Sequence, residues 1–511
     1  MAAVVVVGAG LAGLATAVRL CATGHTVTVL EQSDQVGGKC GRIEVDGFVF
    51  DTGPSLLTLP AVYRDLFATT GQALDQVLDL VPVDPACHYR FADGTTLDMP
   101  NASRGRIGAA LDESLGAGAG QQWLDLLSRG GQIWAATREP FLGTAHTGAG
   151  TLARLARANA DLRTVAPHLS LRALGERYLQ HPQLRTLLDR YATYAGSDPR
   201  SCPAAFATIP YVEQAFGAWY VRGGLHRLAT ATAERAQLLG AEIRTGTKVH
   251  ALSLDGRRVD GVVLDDGAGG AGALLPADIV VSAVDARHLY RDLVPGSAGR
   301  AARSLSARLS NGTTSSSGFV LMLGLRGRTP GLGHHTVLFG PDYDDEFDSL
   351  FGTRSHAARP RPVAAPTIYL SAPDDASARP DDDSQALFVL VNAPVHSPGA
   401  PRRGADWDAT GLAGAYGDRV LALMAERGVD VRDRVVVRRH LTPADLERRT
   451  GSVGGAIYGQ ATRGGLGPFR RPTNASPVPG LYLVGGSTHP GGGLPLVGMS
   501  AEIVAGLIGS A

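Results

Sequence analysis

The first thirty residues alternate in kind rather than in composition. Ala3 to Val7 is a short apolar run rich in valine, which suits a parallel strand buried on both faces. Leu11 to Thr23 keeps helical apolar spacing and stops at Gly24, and His25 to Leu30 reads as a second strand. Strand, helix, strand at this spacing predicts the opening unit of a doubly wound α/β sheet. From about Ala102 to Gln214 the period becomes helical: Trp123, Leu124, Leu126 and Leu127 recur on one face, as do Leu171, Leu174, Tyr178 and Leu179.

The α/β character then returns. Leu225 to Leu239 reads as an amphipathic helix and Ala241 to Arg244 as a strand. Val249 to Leu264 alternates about a turn at Asp255-Gly256, and Ala277 to Ala283 reads as another buried strand. Strand patterns recur at Gly318 to Leu323 and Ala386 to Val391, with a Pro/Asp/Arg-rich stretch from His356 to Ser384 that reads as loop. Gly480 to Ile508 is strand, glycine-rich loop, helix. The expected organisation is interleaved: nucleotide-binding segments at 1–101, 219–310 and 446–511, a helical, membrane-facing insertion at 102–218, and an α+β substrate domain at 311–445.

Composition narrows the classes. The chain has 511 residues, 44% hydrophobic and 19% charged, which is a folded protein of several domains. Its formal net charge is zero, so a nucleic-acid footprint is not expected. Cys21, Cys40, Cys87 and Cys202 fit neither a zinc site nor a disulfide framework, so no metal is expected and a reducing, cytoplasmic setting is. Glycines at 8, 10 and 13 interrupt the N-terminal apolar run, which also lacks a basic start, so it is not read as a leader or a spanning helix.

The chemistry concentrates in glycine-rich loops. Gly8-x-Gly10-x-x-Gly13 lies between the first strand and helix. There the first glycine permits a tight turn, the second lets backbone approach a pyrophosphate, and the third packs helix on strand. Glu31 ends the second strand, where a carboxylate accepts from both hydroxyls of an adenosine ribose. Gly37-Gly38-Lys39-Cys40-Gly41-Arg42 follows, two glycines and a basic pair suited to a second pass of backbone along the diphosphate. Asp51-Thr52-Gly53-Pro54 is a strand running into a tight turn.

These first residues resemble the FAD fingerprint of the amine oxidase and phytoene desaturase superfamily. Tyr220 to Leu225, Thr247-Lys248-Val249 and Ala277 to Val280 resemble its later nucleotide-domain segments. The tail Gly480 to Pro495, with Gly485-Gly486-Ser487-Thr488-His489-Pro490 followed by Gly491 to Pro495, resembles the C-terminal signature of bacterial carotenoid desaturases, in a form closer to the hydroxycarotenoid 3,4-desaturase branch. The resemblance implies a Rossmann-type FAD domain and an FAD site. That site would use Gly8, Gly10, Leu11, Ala12, Gly13, Glu31 and Gln32, then Gly37, Gly38, Lys39, Arg42, Gly53, Pro54 and Ser55. It would be completed by Lys248 and Val249 and, against the flavin, by Gly485, Gly486, Gly493, Leu494 and Pro495. A catalytic residue is not named; His489 is a candidate base but reads better as part of a flavin-positioning loop.

The activity implied is insertion of C=C bonds into a phytoene-derived or hydroxylated carotenoid by hydride transfer to flavin N5, with oxygen or a quinone as electron acceptor and peripheral contact with the membrane surface that holds the lipid. Candidate cavity walls are Trp134 to Leu142, Tyr191 to Tyr194, Phe206 to Trp219 and Phe319 to Leu323. Arg138 and Glu139 read as a surface pair. A carotenoid cis–trans isomerase, an end-group oxygenase, a flavin amine oxidase and a non-enzymatic prenyl-lipid escort are the competing readings.

Overall fold

Valines of opposite parity organise the nucleotide half. A computed structural model describes residues 1–146, 150, 151, 155, 162–353 and 359–511. In it β1 (Ala3–Val7), α1 (Leu11–Ala22) and β2 (Thr26–Leu30) form the expected unit, with β1 and β2 parallel from Ala3↔Thr26 to Val7↔Leu30. Strand Glu242–Arg244 joins β2, Ile279–Ser282 joins β1, and Leu481–Leu483 joins Ile279–Ser282, all parallel. Side chains alternate along a strand. Val4 and Val6 therefore pack against α1 and the helices His226–Leu238 and Leu494–Ile508, while Val5 and Val7 pack against Val249, Leu252, Val262 and Leu289. Burial on both faces is why the run carries no polar alternation.

The second half is built on a seven-stranded sheet. Its two longest strands, Ser317–Arg326 and Ser384–Ala393, pair antiparallel over ten residues, from Ser317↔Ala393 to Arg326↔Ser384. Phe319, Leu321 and Leu323 face Trp407, Tyr416 and Met424; Val320 and Met322 face Phe48, Phe50 and Phe388. Helices Arg104–Leu115, Ala119–Thr137, Leu171–Tyr178, Pro182–Arg190 and Thr208–Phe216 pack over its far end, where Trp123 and Tyr191 meet Tyr89, Val337 and Phe339. Buried Trp123 donates from Nε1 to Gln214 Oε1 at 2.9 Å.

Two sequence readings need correction. Cys87–Arg90 and Thr96–Met99 fall within the first nucleotide-binding segment expected from the sequence, yet they form the edge of the seven-stranded sheet, because Cys87–Arg90 pairs with His335–Leu338. Ile368–Ser371 lies in the stretch read as loop, yet it is a strand hydrogen-bonded on both sides. Flanking Pro366 and Pro373 masked a four-residue run whose strand character comes from its neighbours. Positions 356–358 of that stretch lie outside the described residues.

Among the described residues no helix is long and apolar enough to cross a membrane, and no cluster of His, Cys, Asp or Glu is placed to hold a metal. The four cysteines are unpaired.

Candidate functional site

One cavity of about 640 Å³ runs from the carboxyl ends of the parallel strands to the face of the seven-stranded sheet and the helical insertion. Its volume lies within the range of small-molecule sites. All of the expected cofactor residues line it except Gly13 and Arg42.

Local geometry explains the nucleotide end. Gly8 has φ +100°, a conformation that L side chains rarely adopt, and a Cβ on Gly13 would collide with the Gly8 carbonyl. Gly13 thus packs helix on strand without touching the cavity. Glu31 is 7% exposed; its Oε2 accepts from Ala9 N–H at 2.8 Å, and its Oε1 accepts from Ser33 N–H and Oγ–H at 2.9 and 2.8 Å. A carboxylate offers about four acceptor positions. Three are taken, so the group is fixed in place with capacity left toward the cavity.

The second loop docks on the first: Gly37 donates to Ala9 O at 2.9 Å. The basic pair expected along the diphosphate does not form there. Arg42 is exposed on the strand Arg42–Val45, outside the cavity. Lys39 lines the cavity, but its Nζ donates to the carbonyls of Ala456 and Ile457 at 3.0 and 2.8 Å. Burial lowers the Lys39 amine to about 8 against the opposing pull of Asp285, so its proton is held weakly. Lys248 pairs with Asp265 at 3.3 Å at the cavity rim.

The tail closes the other side. Buried Arg471, missed by sequence reasoning, donates to the carbonyls of Tyr458, Gly486 and Gln460 at 3.0–3.1 Å. Burial lowers its guanidinium to about 10. Asn474 donates to the carbonyls of Leu483 and His489 at 3.2 and 3.0 Å. Both residues lie in the proline-rich run before the final strand, a position that gave no periodic signal.

His489 is not at the cavity. It is wholly buried, and its Nε2–H lies 2.9 and 3.0 Å from the carbonyls of Phe141 and Thr144, which accept from it. Its ring meets Phe141 edge-on at 4.9 Å. Burial, with His146 beside it, lowers the imidazole to about 4, so the ring is neutral. A base role is therefore replaced by a positioning one: His489 ties the tail loop to the helical insertion.

Of the four expected walls, Trp134 to Leu142 lines none of the cavity, being spent on packing among Phe216, His489 and Phe469. Tyr191 to Tyr194 contributes Thr193 and Tyr194, Phe206 to Trp219 contributes Glu213, and Phe319 to Leu323 contributes Val320. Arg138 and Glu139 are an exposed pair at 3.4 Å. Tyr89, Tyr369, Leu390, Arg190, His335 and Tyr343, not anticipated as walls, also line it.

The residues present fit a dinucleotide flavin. A Cβ on Gly10 or Gly493 would meet no heavy atom within 4 Å, because the space over those backbones is the cavity itself. Helices Leu11–Ala22 and Leu494–Ile508 both begin there, so two positive dipole ends face the site.

Comparison with known proteins agrees. Residues 11–377 match the family of flavin containing amine oxidoreductases. The chain is 31% identical to 4,4'-diapolycopene oxygenase of Methylomonas sp, covering 98% of this chain and 97% of that one. It is 32% identical to the zeta-carotene-forming phytoene desaturase of Myxococcus xanthus, covering 98% and 92%. It is 31% identical to the 1-hydroxycarotenoid 3,4-desaturase of Flavobacterium sp. (strain P99-3), covering 99% and 98%. Putrescine oxidase bound to putrescine shares the fold, with a TM-score of 0.63, 15% identity and coverage of 99% and 98%. The chain belongs to the flavin containing amine oxidoreductase family and is an FAD-dependent oxidoreductase whose relatives include carotenoid desaturases and oxygenases.

Proposed function

We propose that this enzyme is a carotenoid desaturase that inserts C=C bonds into a phytoene-derived or hydroxylated carotenoid. The observation that carries the reading is the continuity of one cavity from the dinucleotide loops to the wall of Val320, Leu390, Tyr89 and Tyr369. These apolar and aromatic side chains, in one cavity with the loop Gly485 to Pro495, suit a chain with few polar handles.

Bound FAD would supply a two-electron acceptor, taking hydride at flavin N5 and later passing the electrons to oxygen or a quinone. The protein's share is geometry. Glu31 and the Gly8 to Gly13 loop hold the adenosine end, and Arg471 and His489 fix the tail loop that bounds the flavin end. The channel walls align two adjacent sp³ carbons and exclude water. One carbon loses hydride, the neighbour loses a proton, and the electron pair left by that C–H bond becomes the new π bond. The polyene beside the reacting carbons delocalises the positive charge, so no strong protein base is required. The substrate's residence in a bilayer argues for peripheral membrane contact in the cytoplasm, through the helical insertion.

The end-group oxygenase reading is the second, and the similarity to 4,4'-diapolycopene oxygenase favours it. Anaerobic mixing of the oxidised holoenzyme with a carotenoid separates the two. A desaturase bleaches the visible flavin band without oxygen and leaves a product of longer conjugation. Product formation that requires oxygen and adds its atom would overturn desaturation.

A further inference from the structure

The cavity wall also carries polar groups that a hydrocarbon does not need. Arg190 ends the helix Pro182–Arg190, is 7% exposed and lines the cavity. Its guanidinium donates to Tyr194 Oη at 2.8 Å and lies over the rings of Tyr194 and Tyr89, 4.9 and 5.7 Å from their centroids. It feels the Glu213 carboxyl, yet among the described residues it forms no ion pair with a carboxylate. Glu213, from the helix Thr208–Phe216, accepts from Tyr191 Oη at 2.6 Å through Oε1, while its buried Oε2, with the Tyr194 hydroxyl nearby, makes no hydrogen bond of normal geometry. Burial raises the Glu213 carboxyl above the usual carboxylate range. Tyr343, from a third helix, presents a buried Oη that also lacks a partner.

Buried polar atoms are ordinarily paired, because leaving one unmatched costs about 1–3 kcal/mol. Here a free acceptor, a free hydroxyl and a cation without a counter-carboxylate converge from three helices on one end of one cavity. We propose that Arg190, Glu213 and Tyr343 form a recognition site for an alcohol at the end of the polyene. A hydroxyl oxygen accepts from Arg190 or Tyr343, and its hydrogen goes to Glu213 Oε2. An anchor at the chain end also sets which bond lies at the dinucleotide end. The inference rests on the desaturase reading only for the chain attached to the alcohol.

The test uses the FAD-loaded full chain with a 1-hydroxy acyclic carotenoid and its hydrocarbon counterpart, each in phosphatidylcholine vesicles. Binding is read by quenching of protein fluorescence and turnover by product absorbance. The wild-type enzyme is expected to favour the alcohol by about 10- to 100-fold in binding and in kcat/KM, the worth of hydrogen bonds to charged groups. Arg190→Met is expected to abolish that preference, raising KM for the alcohol far more than KM for the hydrocarbon. Glu213→Gln, which keeps the shape and the Tyr191 partner, weakens the preference if Arg190→Met fails to fold. Equal wild-type affinity for the two chains, or variants that lower both substrates in parallel, would overturn the site. Preferential binding of the alcohol without turnover of either chain would sink the desaturase reading and keep the site; turnover of both without preference does the reverse.

Discussion

The Glu31 carboxylate accepts the backbone N–H of Ala9 at 2.8 Å, joining the end of the second strand to the loop that opens the first helix. The bond crosses the switch from strand to helix and holds the carboxylate toward the cavity. Glu31→Ala removes this bond, the two from Ser33 and the expected ribose acceptor together. Affinity for FAD should fall by about 10- to 100-fold. Titration of the apoprotein with FAD, followed by flavin fluorescence, measures it; unchanged affinity would remove Glu31 from the site.

Gly13 touches no cofactor space, yet its replacement should empty the site. A Cβ there would collide with the Gly8 carbonyl, and the helix would have to move off the strand. Gly13→Ala should cost about 1–3 kcal/mol of stability. Protein purified from this variant should carry less flavin absorbance than wild type, whereas Gly10→Ala, with open space at its Cβ, should fold normally and lose flavin alone.

His489 predicts a pH dependence of stability. Its folded-state value of about 4 lies below the ordinary 6.5, so the folded chain binds that proton less tightly than the unfolded chain. The contribution is full above pH 6.5 and is lost as pH falls through about 4. Its size is on the order of 3 kcal/mol. Denaturant melts of wild type and His489→Asn across this window should converge toward low pH. Parallel curves would show that the imidazole does not titrate there.

Arg471 holds three carbonyls that bracket the tail loop. Arg471→Leu leaves them buried without donors, each at about 1–3 kcal/mol. We expect a lower unfolding midpoint and a shifted flavin spectrum, and Arg471→Lys should recover some of the first and less of the second, since an ammonium cannot reproduce the planar fork. An unaltered spectrum in both variants would mean that the loop does not bear on the flavin.

What was legible in the sequence was local. Gly8 to Glu31 is one contiguous strand, helix and strand, so chain spacing alone set the geometry that Ala9 and Glu31 now display. Aromatic content could not separate wall from core: Phe319 packs on Trp407, while Val320 beside it faces the cavity, a distinction that needs the sheet's orientation. Trp134 to Leu142 failed for the same reason. Arg190, Glu213 and Tyr343 lie far apart in the chain, and only packing of three helices brings them to one wall. Arg42 misled because a charge beside a glycine pair says nothing of the strand that then carries it outward.

The most direct test of desaturation is the mass of the product. FAD-loaded protein in liposomes should be given phytoene and, separately, a 1-hydroxycarotenoid. A desaturase yields a red-shifted product lighter by two hydrogens per step. An unchanged mass with an altered isomer pattern, or a mass increased by oxygen, would contradict it.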